Sequence, residues 1–146
     1  KYSPEGIEEA LVEKSKYIDQ VMLYNNQSAY TTALIVPNRE ALKRKLSHLN
    51  LTLDTEEGRK AAVKKLEEEL AKYRKGGEFE GMFPERWLPT TFAVLAEPFT
   101  EQNQMINSTM KMVRGKIEKA YAARIDYMYT AEGKQTQNQQ NLDALK

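Results

Sequence analysis

The chain has 146 residues, a length that fits a single domain. Its 22 Lys and Arg residues nearly balance 21 Asp and Glu residues, and the net charge of +1 gives no electrostatic reason to expect nucleic-acid or anionic-membrane binding. The absence of cysteine excludes disulfides and thiolate catalysis, and the single histidine, His48, excludes a multi-histidine metal site. No apolar run approaches the roughly 18 residues that span a bilayer. A chain that starts at lysine is expected to be part of a longer protein.

The first part of the chain predicts a helix followed by a β-hairpin. The Ser-Pro-Glu sequence at residues 3–5 favours a helix start, and the helical spacing of apolar residues continues to about Ser15. Two β-rich runs, at residues 20–24 and 30–36, flank a turn-forming Asn-Asn-Gln-Ser cluster and predict an antiparallel hairpin. The second run is apolar at consecutive positions, so its strand is expected to be central and covered on both faces.

Charged and aromatic segments fill the middle of the chain. Asn38 is expected to cap a helix that runs to about His48, and residues 55–75 predict a long charged helix. One narrow apolar seam along that helix indicates an outer helix packed on the domain, with a coiled-coil partner as the second interpretation. Residues 78–89 predict a loop anchored to the core by its aromatic side chains, and residues 90–95 predict a third strand.

The last part of the chain predicts a helix and a tail. Apolar residues at helical spacing predict an amphipathic helix from Val113 to about Tyr129. Residues 131–146 contain six Asn or Gln in sixteen positions and predict a disordered tail. The element order α-β-β-α-α-β-α predicts the α+β class, with a small three-stranded sheet flanked by helices.

Local sequence motifs point to one candidate residue. The glycine-rich phosphate loops and the HExxH and GxSxG motifs are absent. The acidic clusters Glu8-Glu9 and residues 67–69 are expected on solvated helix faces. In residues 105–114, a polar turn leads into the terminal helix and holds Lys111 between two methionines. A lysine on a fixed loop can place its cation beside a phosphate or a carboxylate.

Three parts of the sequence resemble one enzyme family. The stretch YSPEGIEEAL at residues 2–11 resembles the start of the C-terminal domain of acyl-adenylate-forming enzymes. The stretches YIDQV at residues 17–21 and ALIVPN at residues 33–38 resemble long-chain fatty acid–CoA ligases in particular. The stretches EPFT at residues 97–100 and NSTMKMVR at residues 107–114 resemble that family's motif around an invariant lysine.

This resemblance covers about residues 1–130 and implies a mobile C-terminal lid domain. In the family, the lid takes one orientation to form acyl-AMP from an acid and ATP and another for attack by coenzyme A. By motif, the catalytic lysine of the first step is Lys111. The resemblance also implies a loop on the coenzyme A side at Tyr2, Ser3 and Pro4.

The resemblance further implies the partners of the domain. ATP, Mg²⁺ and coenzyme A would serve the full-length enzyme together with a fatty acid and an N-terminal adenylation domain in the same chain. The 146-residue fragment alone is expected to be inactive and to hold none of these ligands tightly. We expect no nucleic-acid partner, no transmembrane segment and a cytoplasmic location, and peripheral membrane contact is left open.

Departures from the family motif leave alternatives open. Asn107 and Ser108 replace a Thr-Pro pair, Val113 replaces a basic residue, and the loop at residues 76–87 is longer than usual. The hinge, phosphate loop and fatty-acid tunnel would lie before Lys1. One alternative is the same domain of an enzyme that adenylates another carboxylic acid. A second alternative is a freestanding α+β module that binds a protein partner through its long charged helix.

Overall fold

The computed structural model describes residues 3–146, and the predicted α+β class is confirmed. The described helices are α1 (Pro4–Glu13), α2 (Arg39–Ser47), α3 (Glu56–Ala71), α4 (Arg114–Ala120), α5 (Ala122–Met128) and α6 (Gln139–Ala144). The described strands are β1 (Ile18–Tyr24), β2 (Thr32–Pro37) and β3 (Thr91–Val94). A single 3₁₀ turn at Glu85–Trp87 precedes β3.

The three strands form one sheet in the order β1-β2-β3. The strands β1 and β2 pair antiparallel, as predicted for the hairpin, whereas β2 and β3 pair parallel. All six residues of β2 are buried, so the prediction of a central, doubly covered strand is confirmed. The outer strands β1 and β3 each have one free edge, along which backbone N–H and C=O groups have no partner strand.

Each face of the sheet carries its own apolar cluster. Ala33 and Ile35 of β2 pack in the cluster under α1, α2 and α3, whereas Leu34 and Val36 pack in the cluster under α4 and α5. This division follows from the pleat of a strand, which points successive side chains to opposite faces. The apolar seam of α3 is buried in the first cluster, which confirms the interpretation of an outer helix packed on the domain.

The predicted terminal helix is interrupted at Tyr121, where α4 ends and α5 begins. The apolar positions of this region recur mainly every four residues, and each such step rotates the stripe by about 40° around a helix of 3.6 residues per turn. The break allows Ile117, Ile125 and Met128 to remain in one apolar cluster.

The prediction of a disordered tail at residues 131–146 is wrong. This segment contains α6, whose Leu142 is buried, and ends beside Leu145, which is also buried. Asn138 caps α6 by accepting a hydrogen bond from the Asn141 N–H. Amide-rich composition was misleading here because buried amide side chains can hydrogen-bond to the backbone of a neighbouring strand.

Candidate functional site

Lys111 lies on a tight loop between β3 and α4. The loop closes where Ile106 and Met112 form a short antiparallel bridge, and the Val113 N–H donates to the Met105 carbonyl at 2.8 Å. We call residues 105–113 the lysine loop. These contacts hold the two ends of the loop together and fix the segment just before α4.

Asn107 organises the tip of the lysine loop. Its Oδ1 accepts hydrogen bonds from the backbone N–H groups of Thr109 and Lys111, each at 3.0 Å, and from the Thr109 hydroxyl at 2.7 Å. The Asn107 N–H donates to the Lys111 carbonyl at 2.9 Å. Asparagine often stabilises turns in this way, because its short side chain can replace backbone partners. Although Asn107 departs from the family motif, it holds the lysine backbone in place.

The side chain of Lys111 is exposed, as is that of its neighbour Met110. Met110 has a φ of 65°, a left-handed backbone conformation that is uncommon for residues other than glycine. The residue is also 73% exposed. No hydrogen bond or ion pair joins the Lys111 ammonium to another residue of the described range 3–146. The loop therefore presents a cation on a rigid backbone.

The lysine loop forms one wall of a cleft of about 720 Å³. The opposite wall is the exposed side of α1 with the start of β1. The cleft is lined by Glu5, Glu8, Glu9, Val12, Glu13, Asp19, Gln20, Val21, Ile106, Met110, Lys111, Met112 and Arg114. Its floor is partly apolar, and carboxylates outnumber the two basic side chains. A charged group that enters this cleft would lie close to both acidic and basic side chains.

Glu8 joins α1 to the far end of the lysine loop. Its Oε2 accepts hydrogen bonds from the Leu23 N–H at 2.7 Å and from Arg114 Nη1 at 2.9 Å, and its Oε1 accepts a second bond from Arg114 Nη2. Only 6% of the Glu8 side chain is exposed, against 29% for Arg114. The expectation that Glu8 lies on a solvated face is therefore wrong, because the carboxylate has both a backbone and a guanidinium partner.

Opposing influences act on the ionisation of Glu8. Burial raises its pKa, while the hydrogen bonds from Arg114 and from the Leu23 N–H act in the opposite direction. The net pKa lies above its ordinary value. Burial of a carboxylate disfavours its charged form unless partners compensate. Sequence patterning could not find this pair, since 106 residues separate its members.

A second buried carboxylate lies on α3, away from the lysine loop. Glu69 is within 3.4 Å of Lys65 and 3.1 Å of Lys72, and only 2% of its side chain is exposed. Burial alone would raise its pKa, but hydrogen bonds from Ser15 and Lys72 and the charges of Lys72 and Lys65 outweigh burial and lower it. The expectation that residues 67–69 are all solvated is wrong at this position.

The other predicted site residues are Tyr2, Ser3 and Pro4, at the start of the chain. Tyr2 lies outside the described residues, Ser3 is exposed, and Pro4 is the first residue of α1. In the range 3–146, no group of three or more His, Cys, Asp or Glu side chains could hold a metal ion. Across the same range, every helix is too short or too polar to cross a bilayer.

Two curated proteins resemble this chain at low identity. Long chain acyl-CoA synthetase 8 from Arabidopsis thaliana is 27% identical over 130 residues, which are 85% of this chain and 17% of the plant protein. Carboxylic acid reductase from Mycobacterium tuberculosis is 26% identical over 123 residues, which are 84% of this chain and 9% of the reductase. The chain thus spans less than a fifth of either relative. No protein-family model matches it.

Solved structures share the fold. The A-PCP didomain of carboxylic acid reductase from Segniliparus rugosus, in complex with AMP, superposes with a TM-score of 0.67 at 24% identity and covers 87% of this chain and 16% of its own. The adenylation domain of the carboxylate reductase from Mycobacterium chelonae superposes with a TM-score of 0.65 at 24% identity, covering 86% of this chain and 17% of its own. The α+β architecture matches the C-terminal domain of adenylate-forming enzymes. The chain is thus similar in sequence to an acyl-CoA synthetase and to a carboxylic acid reductase, and similar in fold to part of the solved carboxylic acid reductase structures.

Proposed function

We propose that this chain is the C-terminal domain of an enzyme that activates a carboxylic acid with ATP, and that Lys111 acts in the adenylation step. The observation that carries the proposal is the presentation of Lys111: its backbone is held by Asn107, and its ammonium is exposed beside a cleft. The motif resemblance assigns the same residue. Because the chain spans only 17% of its plant relative, the nucleotide and acid sites would lie largely on another domain.

The chemistry gives a fixed cation a clear task. In adenylation, a carboxylate oxygen attacks the α-phosphorus of ATP, the bond between the α-phosphorus and the bridging oxygen breaks, and pyrophosphate leaves. Two anions must approach each other, and negative charge accumulates on the oxygens around the α-phosphorus. A positioned ammonium offsets this charge without reorganisation at the moment of reaction. Lysine suits the task because its compact charge sits on a long stem that can reach from one domain into another.

We further propose that the acid is a long-chain fatty acid and that the acceptor is coenzyme A. In this second step the thiol sulfur attacks the acyl carbon, the thiol proton is released and AMP departs. Support comes from the plant acyl-CoA synthetase relative and from the YIDQV and ALIVPN stretches. Ser3 and Pro4 remain candidates for the coenzyme A side of the domain, together with Tyr2.

A second candidate function has its own support. The other relative and the solved structures are carboxylic acid reductases, so the acyl-AMP could instead be passed on for reduction. Both functions share the adenylation step and the role of Lys111. They differ in the fate of the acyl-AMP, so analysis of the product separates them. Formation of an acyl-CoA thioester supports the ligase, and reduction of the acid supports the second candidate.

The role of Lys111 is tested in the complete protein that contains this chain. Adenylation is measured by ATP–pyrophosphate isotope exchange, and thiol transfer is measured with acyl-AMP supplied ready-made. Lys111→Ala should slow adenylation by about 100- to 1000-fold, the usual loss on removing one charge-stabilising group, and should largely spare thiol transfer. Lys119→Ala is the matched control, because Lys119 is an exposed lysine of α4.

Two results would contradict this assignment. Equal losses in both half-reactions would show that Lys111 has no role specific to adenylation. Unchanged exchange in Lys111→Ala would show that it is an ordinary surface lysine. Folding should not confuse the result, since an exposed loop lysine contributes little to the core.

A further inference from the structure

Glu8 occupies an unusual position for a carboxylate in a small domain. It extends from α1 to the free edge of β1, where it accepts the Leu23 N–H at 2.7 Å. The same carboxylate binds Arg114 through two parallel hydrogen bonds. Glu8 thus joins three elements: α1, the edge of the sheet and the first residue of α4. Bidentate pairing of arginine with a carboxylate restricts orientation as well as distance.

Arg114 transmits this restriction to the lysine loop. Its neighbour Val113 donates to the Met105 carbonyl at 2.8 Å, and Met112 completes the bridge to Ile106. Only two residues separate Arg114 from Lys111. The carboxylate of Glu8 therefore holds the exit of the lysine loop against the sheet, although it does not itself contact Lys111 by a hydrogen bond or an ion pair in the described range 3–146.

We propose that Glu8 is a positioning residue for adenylation: through Arg114, it sets where the lysine loop projects from the domain and so where the Lys111 ammonium arrives. This inference rests on the proposed function of Lys111. A small error in the position of a reacting or stabilising group can cost about 100-fold in rate even when binding is preserved. The expected signature is therefore a fall in kcat for adenylation with little change in KM.

A purely structural role for Glu8 makes a different prediction. If the ion pair only supported the fold, its loss would affect both half-reactions and would do so whether or not Lys111 were present. If the ion pair positions Lys111, its loss should slow adenylation only in protein that retains Lys111. A double-mutant cycle separates these cases, because residues that work as a unit give non-additive losses.

The experiment uses the complete protein that contains this chain, with Glu8→Gln, Lys111→Ala and the double variant. Glutamine retains an oxygen that can accept the Leu23 N–H but removes the charge that pairs with Arg114. Glu8→Gln should slow ATP–pyrophosphate exchange by about 10- to 100-fold, with KM for ATP and acid changed less than about threefold. In the Lys111→Ala background, Glu8→Gln should cause no further loss. The matched control is Glu40→Gln, which neutralises an exposed carboxylate on α2.

Each result supports or overturns the proposal. Equal fold losses from Glu8→Gln in both backgrounds, or equal losses in adenylation and thiol transfer, would overturn the positioning role and leave that of Lys111 intact. An unchanged rate in Lys111→Ala would overturn the proposed function and this inference with it. Should Glu8→Gln fail to fold by circular dichroism, Arg114→Lys replaces it in the same cycle. That variant keeps the charge but loses the bidentate geometry, and it is expected to show the same dependence on Lys111.

Discussion

Asn141 is the residue whose loss should best reveal the role of the C-terminal segment. It is 1% exposed and lies beside the free edge of β3. Its Oδ1 accepts hydrogen bonds from the Val94 N–H at 2.8 Å and from Arg124 at 3.0 Å. Its Nδ2 donates to the carbonyls of Phe92 at 3.0 Å and Thr136 at 2.9 Å. One amide therefore completes the hydrogen bonding of an edge strand and joins it to the segment before α6.

The expected cost of Asn141→Ala follows from this geometry. Alanine would leave the Val94 N–H and the Phe92 carbonyl without their amide partner in a buried region. A buried polar group that loses its partner costs about 1–3 kcal/mol. With partial relaxation and access of water to the Thr136 carbonyl, we expect a loss of about 2–4 kcal/mol in the free energy of unfolding.

Urea denaturation of the 146-residue chain measures this loss. Gln139→Ala is the matched control, because it shortens an exposed amide on the same helix and should change stability by less than about 0.5 kcal/mol. Deletion of residues 131–146 should be more costly than Asn141→Ala, since it also removes buried Leu142 and Leu145. A loss below about 0.5 kcal/mol for Asn141→Ala would refute the reasoning that α6 completes the sheet edge.

Two other predictions concern Glu69 and the lysine loop. The folded-state pKa of Glu69 lies below its ordinary value of 4.5, so its stabilising contribution is present above that pH and is lost as the pH falls through the lower value. In thermal melts, the wild type should therefore have a higher Tm than Glu69→Gln at pH 6, and the two Tm values should converge in acid. The control is Glu68→Gln, which neutralises an exposed carboxylate and should lower the Tm less at pH 6. In the complete protein, Asn107→Ala should slow adenylation about tenfold by releasing the Lys111 backbone, whereas Ser108→Ala should not. Equal effects of the Asn107 and Ser108 variants would contradict the proposed organisation of the loop.

Local patterns were sufficient for the sheet and most helices. The β-rich runs around a turn-forming cluster predicted the hairpin, and the consecutive apolar residues of β2 predicted its central place. Asn38 was also predicted correctly as a cap: its side chain accepts the Ala41 N–H at 3.0 Å. These features depend on residues close together in the chain, where pleat, turn and capping chemistry act directly.

The C-terminal segment required tertiary structure. The composition of residues 131–146 predicted disorder because amide side chains outnumber apolar ones. Such a composition does not lead to disorder where an amide side chain can hydrogen-bond to backbone N–H and C=O groups that have no strand partner. Asn141 reaches Val94 and Phe92, which lie 47 and 49 residues earlier in the sequence. The backbone groups at the free edge of β3 need hydrogen-bond partners, and α6 lies beside that edge only in the folded domain.

The candidate site likewise has one part that could be predicted from the sequence and one part that could not. Lys111 could be singled out as the candidate before folding is considered, because the residues around it form a short continuous motif that resembles one of a known family. The contacts that hold the lysine loop in place could not be predicted, because they join residues that are distant in the chain. Glu8 and Arg114 are 106 residues apart and meet only in the folded domain. In the sequence, Glu8 cannot be distinguished from the exposed carboxylates of a surface helix. Its proposed role depends on its burial and on its contacts with the Leu23 N–H and Arg114, which form on folding.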